Sequence, residues 1–119
     1  MTDWIKISDT VEIMRDPVME SDFGIKNPHP MPVRAVTQVE AKGWAKKNGW
    51  RLPTEAEWLQ GWGKMNHWGL WEWVAEKGKL RGGYWDFYQE NAACAYRYYY
   101  PPRKRNHYFG FRCAREREK

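Results

Sequence analysis

The sequence has 119 residues, one domain's worth, and its 17% aromatic content excludes a disordered chain. Its longest run of apolar residues and Tyr, Ala92-Ala93-Cys94-Ala95-Tyr96, is far too short for a bilayer span. Lys and Arg exceed Asp and Glu by 20 − 15 = 5; the one tight basic cluster, Arg103-Lys104-Arg105, reads as a solvated rim, because no nucleic-acid motif accompanies it.

In chain order, residues 3–7 and 11–15 alternate roughly between apolar and polar, and Ser8-Asp9-Thr10 between them makes a turn, so an N-terminal hairpin is predicted. Residues 16–34 carry four prolines and Gly24 and are predicted as loop or isolated extended chain. Thr37-Gln38-Val39-Glu40 is a capping box ahead of Ala41, Trp44 and Ala45 at helical spacing, and Gly49 suits the position just past the helix end. Thr54-Glu55-Ala56-Glu57 is a second capping box, opening a helix with Trp58, Leu59 and Trp62. The period then changes from helical to two. Trp71–Val74, Ala93–Arg97 and Tyr108–Cys113 read as strands, and Arg81-Gly82-Gly83 as a bulge or a close backbone approach. Two helices followed by short strands define an α+β chain, here read as one domain over 1–119.

The aromatic residues divide along the chain. Eight of the nine Trp precede residue 84, whereas all seven Tyr lie between 84 and 108. Trp suits a core, where it buries a large area and needs a single donor satisfied. Tyr suits a binding surface, since it offers area, a polar tip and little rotamer entropy to lose. Trp44, Trp58, Trp71, Trp73, Trp85 and Phe111 are therefore predicted as scaffold, with Glu57 and Glu72 as acceptors for nearby buried donors. Cys94 and Cys113 read as two small core residues, with a disulfide as the alternative. Two cysteines make no zinc site alone, and His29, His67 and His107 lack ligand spacing.

Four strings, Arg51-Leu-Pro-Thr-Glu-Ala-Glu-Trp58, Trp71-Glu-Trp-Val74, Leu80-Arg-Gly-Gly-Tyr-Trp85 and Gly110-Phe-Arg-Cys-Ala-Arg115, occur in the order and spacing of one family. Over residues 31–115 the chain resembles the formylglycine-generating-enzyme branch of the C-type lectin fold. The resemblance implies two helices with small antiparallel sheets and long loops. The enzymes of that branch use a copper-binding cysteine pair, and the corresponding positions here hold Phe87 and Ala92, neither of which is a thiol. The resemblance therefore implies a binding protein rather than an enzyme, with no catalytic residue, metal ligand or cofactor. The family's Gly-Asn ahead of the tryptophan string reads Trp68-Gly69 here, so no calcium site is carried over.

The segment between Gly83 and Gly110 looks like the variable region of a protein diversified by a retroelement, in which adenine mutagenesis turns Asn codons into Tyr, Asp, Phe, His and others. The expected variable region is about 84–109. The candidate ligand-binding residues are Tyr84, Asp86, Phe87, Tyr88, Tyr96, Tyr98, Tyr99, Tyr100, Arg103, Lys104, Asn106, His107 and Tyr108. Pro101 and Pro102 argue that the 98–100 tyrosines stand at a loop or strand end. The expected partner is a protein or glycan on a target surface, met in viral or microbial attachment or recognition. A carbohydrate-binding, lectin-like module is the alternative. No signal peptide is visible, so the expectation is a virion-associated or cytoplasmic chain, and a monomer.

Overall fold

A computed structural model describes residues 2–82, 97–99, 101–103 and 107–117, with the backbone alone at 97–99. The N-terminal hairpin forms as predicted. Strands β1 (Trp4–Lys6) and β2 (Val11–Met14) pair antiparallel, and the Ser8 hydroxyl accepts from the Thr10 and Val11 amides across the turn. The last strand, β7 (Ala114–Glu116), pairs antiparallel with β2 and completes a three-stranded sheet of order β1-β2-β7.

Both capping boxes hold. Thr37 caps α1 (Gln38–Lys47) and Thr54 caps α2 (Glu55–Gly61); in each the hydroxyl accepts from the third residue's amide and that residue's carboxylate accepts from the threonine amide. Gly49 takes the left-handed conformation that ends α1 (φ 76°). The stretch predicted as loop contains a 3-10 turn, Glu20–Phe23, whose Asp22 carboxylate accepts from the Met19 amide, and a second 3-10 turn, Trp62–Lys64, extends α2.

The second sheet holds β3 (Trp71–Trp73), β4 (Lys79–Gly82), β5 (Arg97–Tyr99) and β6 (Phe109–Phe111), in the order β5-β4-β3-β6. This corrects the expectation of antiparallel sheets: β3 and β6 run parallel, with Trp71 opposite Phe109 and Trp73 opposite Phe111. The reason is topological. β5 already runs parallel to β3, so the chain reaches β6 by a crossover instead of a hairpin. The crossover passes the start of α1, where the Pro102 carbonyl accepts from the Val39 amide at 3.3 Å. The strand predicted over 108–113 is also shorter than its pattern. β6 ends at Phe111 with all three residues buried, and Arg112 and Cys113 carry the chain from one sheet to the other. There the Phe111 and Cys113 carbonyls accept from the Val18 and Met14 amides. Of the strand predicted over 93–97 only Arg97 lies within the described residues, where it opens β5.

Two apolar clusters result. The larger packs Val18, Val33, Val36, Ala41, Ala45, Leu52, Trp73, Leu80, Phe109, Phe111 and Cys113 between α1 and the second sheet; the smaller joins Ile5 and Ile13 of the hairpin to Trp58, Met65 and Val74. Trp58, Trp73 and Phe111 are fully buried, and Trp44 and Trp71 are half-buried against the larger cluster. Trp85 lies outside the described residues. Trp68 departs from the core pattern at 42% exposure, its indole N–H pointing to Asp16 at 3.4 Å.

Candidate functional site

The site predicted from the sequence begins where β4 ends. Gly82 pairs with Trp71, Arg81 with Arg97, and Trp71 in turn with Phe109. The end of β4 and the starts of β3, β5 and β6 therefore lie at one end of the sheet. The Trp71 amide donates to the Tyr108 carbonyl at 2.8 Å, which brings Tyr108 to the same end. Gly82 is required there. Its φ is 110°, and a Cβ on it would stand 2.6 Å from the Leu70 carbonyl oxygen, so the close backbone approach read from Arg-Gly-Gly is present.

The burial pattern changes abruptly at this end. Phe109 is 2% exposed, whereas Tyr108, one residue earlier, is 44% exposed and packs edge-on to the exposed His107 ring at 5.6 Å. Arg103 is also exposed. Tyr98 and Tyr99 lie in β5, opposite Leu80 and Lys79 respectively. Leu80 is fully buried and Lys79 is not. Tyr84, Asp86, Phe87, Tyr88, Tyr96, Tyr100, Lys104 and Asn106 lie outside the described residues, as do Ala92 and Cys94.

Beneath this end lies a buried polar frame. Glu72 alternates with two tryptophans, yet it is buried like them. Its Oε1 accepts from the Trp58 indole at 2.9 Å, as predicted for an acceptor of a buried donor, and both carboxylate oxygens accept from Arg112, at 2.7 and 2.9 Å. Arg112 is itself 0% exposed, and its remaining donors reach the carbonyls of Met14, Arg15 and Asn66. That makes five hydrogen bonds for five guanidinium N–H groups, a complete satisfaction that a buried charge requires. Sequence reasoning had Arg112 only as part of the fixed Gly110–Arg115 string and missed its pairing with Glu72. The available signal was an arginine inside the apolar string Gly-Phe-Arg-Cys-Ala, together with a carboxylate inside Trp-Glu-Trp.

Around the frame, Arg51 holds Glu57 through two bonds of 2.7 and 2.9 Å. That pairing, with the Thr54 cap, holds the Glu57 carboxyl below its ordinary range. His67 lies between the Trp58 and Trp62 rings and its Nε2–H donates to the Trp62 carbonyl at 2.8 Å. Burial pushes the imidazole below its ordinary value. Gln38, buried on α1, donates to the Val74 and Glu76 carbonyls and accepts from the Gly78 amide, which fixes the β3–β4 turn.

Cys113 is a free, buried cysteine whose thiol burial pushes strongly upward. That is the environment of a small core residue and not of a thiolate ligand; Cys94, its partner in the disulfide alternative, lies outside the described residues. Among the described residues no three His, Cys, Asp or Glu side chains gather as a metal would need, and no helix is long and apolar enough to cross a membrane. No protein-family model matches the chain, and no curated protein does.

Proposed function

We propose that this chain is a ligand-binding protein with the C-type lectin fold of the formylglycine-generating-enzyme type, diversified by a retroelement, and that it presents a Tyr-rich variable face to a protein or cell-surface receptor in viral or microbial attachment. The observation that carries the reading is the division at residues 108 and 109, where an exposed His107–Tyr108 pair gives way at once to the buried strand Phe109–Phe111. A recognition surface needs rings that face solvent and a frame that does not rearrange, because ordering a soft surface at each encounter costs affinity.

The strings behind the family resemblance support the same reading. Trp58, Glu72 and Arg112 come from three of the four strings and bond to one another. A backbone bridge joins Arg51 to Ala114, and Gly82 of the remaining string packs on Leu70. Residues that the resemblance treats as fixed thus carry the frame, and the proposed face adjoins it. Tyr and His supply contact area and direction, Arg103 a charge at the rim. The reading assigns the chain no reaction.

The experiment is to sequence many independent copies of the locus together with its flanking DNA. The expected result is variation concentrated in codons 84–109 and a near-copy of that stretch nearby. Variation spread evenly along the gene would overturn the reading. Binding on a glycan array that chelation of calcium abolishes would replace it with a lectin.

A further inference from the structure

On α1, one side turns toward the 33–36 segment, and between them runs a groove of about 550 Å³. Glu40, Gly43, Trp44 and Lys47 form its helical wall, spaced i, i+3, i+4 and i+7. Arg34 to Val36 form the other wall, and Phe23 closes one side. Phe23 is 38% exposed and stacks on Trp44 at 5.3 Å with an interplanar angle of 13°, so an aromatic pair borders the groove.

Two features of this groove lack a reason within the described fold. Gly43 sits in the interior of α1, where glycine weakens a helix relative to alanine. No atom lies within 4 Å of where its Cβ would be, so packing does not require it. Arg34 and Lys47 line the groove without a hydrogen-bond or ion-pair partner among the described residues.

We infer that this groove docks an extended acidic peptide segment of a second protein, one that lays an aromatic or aliphatic side chain on the Phe23–Trp44 pair and carboxylates against Arg34 and Lys47. Gly43 leaves room for the peptide backbone to pass close to α1. Arg34 and Lys47 outnumber the groove's single carboxylate, Glu40, which is turned to the Thr37 cap, so the groove favours an acidic segment, and the chain's own formal net charge of +5 disfavours a second copy of itself as the occupant. The groove uses residues 23–47, outside 84–109, so it serves a constant partner and stands whether or not the variable-face reading does.

The test is an array of eight-residue peptides alternating Asp or Glu with Phe or Leu, probed with the full chain, beside the same peptides carrying Lys for Asp and Glu. The acidic set is expected to bind at least tenfold more tightly. Gly43→Leu fills the groove and gains helix propensity, so it should abolish binding while the melting temperature holds or rises. Arg34→Glu with Lys47→Glu should abolish binding of the acidic set and leave the melting temperature unchanged. Equal binding of acidic and basic peptides, or binding that survives Gly43→Leu, would overturn the proposal. So would a dimer in sedimentation that Gly43→Leu dissolves, since the occupant would then be a second copy.

Discussion

Arg112 and Glu72 face each other with no water-exposed surface, and each is the reason the other is tolerated. Glu72→Gln leaves a buried guanidinium without its counter-charge, and unfolding in urea should report a loss of about 3–5 kcal/mol. Arg112→Met in the same background should cost less than the sum of the two single changes, because the orphaned charge is gone. Additive losses would mean that the pair is not coupled. Trp58→Phe removes the indole donor to Glu72 and also leaves a cavity at a fully buried site, so it should cost more than the ~1–3 kcal/mol of an unsatisfied buried acceptor alone. The role of Glu72 as an acceptor was legible in the sequence because a carboxylate among buried tryptophans needs a buried donor, although the indole it serves is Trp58 and neither of the two that flank it. The partner Arg112 was not, since the pairing spans 40 residues and only the fold brings the two strings together.

At the scale of elements, the helices were the most legible parts, because a capping box is a local hydrogen-bond arrangement complete within four residues. The strands were less so. β6 is buried on both faces, so period-two alternation could not mark its end, and the parallel pairing with β3 depends on a crossover that no local signal records. Of the predicted site, the break between Tyr108 and Phe109 was visible as a change from polar aromatics to the Phe-Gly-Phe string. The positions of Tyr98 and Tyr99 opposite Leu80 and Lys79 were not, because register is set by the partner strand.

The close approach at Gly82 gives a sharp expectation at this scale. Gly82→Ala puts a methyl group against the Leu70 carbonyl at a backbone angle that alanine avoids, and should destabilise by at least about 1–3 kcal/mol in thermal or urea unfolding. A neutral effect would mean that the end of β4 is loosely held. The pH dependence has two steps. His67 is depressed in the fold, so the unfolded chain takes up its proton first. Stability is full above the ordinary imidazole value and falls as pH drops below it. His67→Phe should flatten the melting temperature across that interval. Glu57 is likewise depressed. Its contribution is present above the ordinary glutamate range and is lost as pH falls through the lower value it has in the fold, a second decline that Glu57→Gln should remove.

Across the whole molecule the described residues separate two duties. The frame of Trp58, Trp73, Glu72 and Arg112, with Gly82 against Leu70, ties the two sheets and α2 together. Arg103, His107 and Tyr108 stand outside it. A recognition protein that changes its face must keep folding free of that face, since most core substitutions cost more than a domain of this size can lose. The measurement that tests this most directly is a saturation-mutagenesis scan of the full chain, read by protease resistance and not by binding. Positions 58, 72, 73, 82 and 112 are predicted to reject almost every substitution, while 103, 107 and 108 accept nearly all of them with resistance unchanged. If substitutions at 107 and 108 unfold the chain as readily as those at 58 and 112, the tyrosine-bearing side belongs to the core and the account fails.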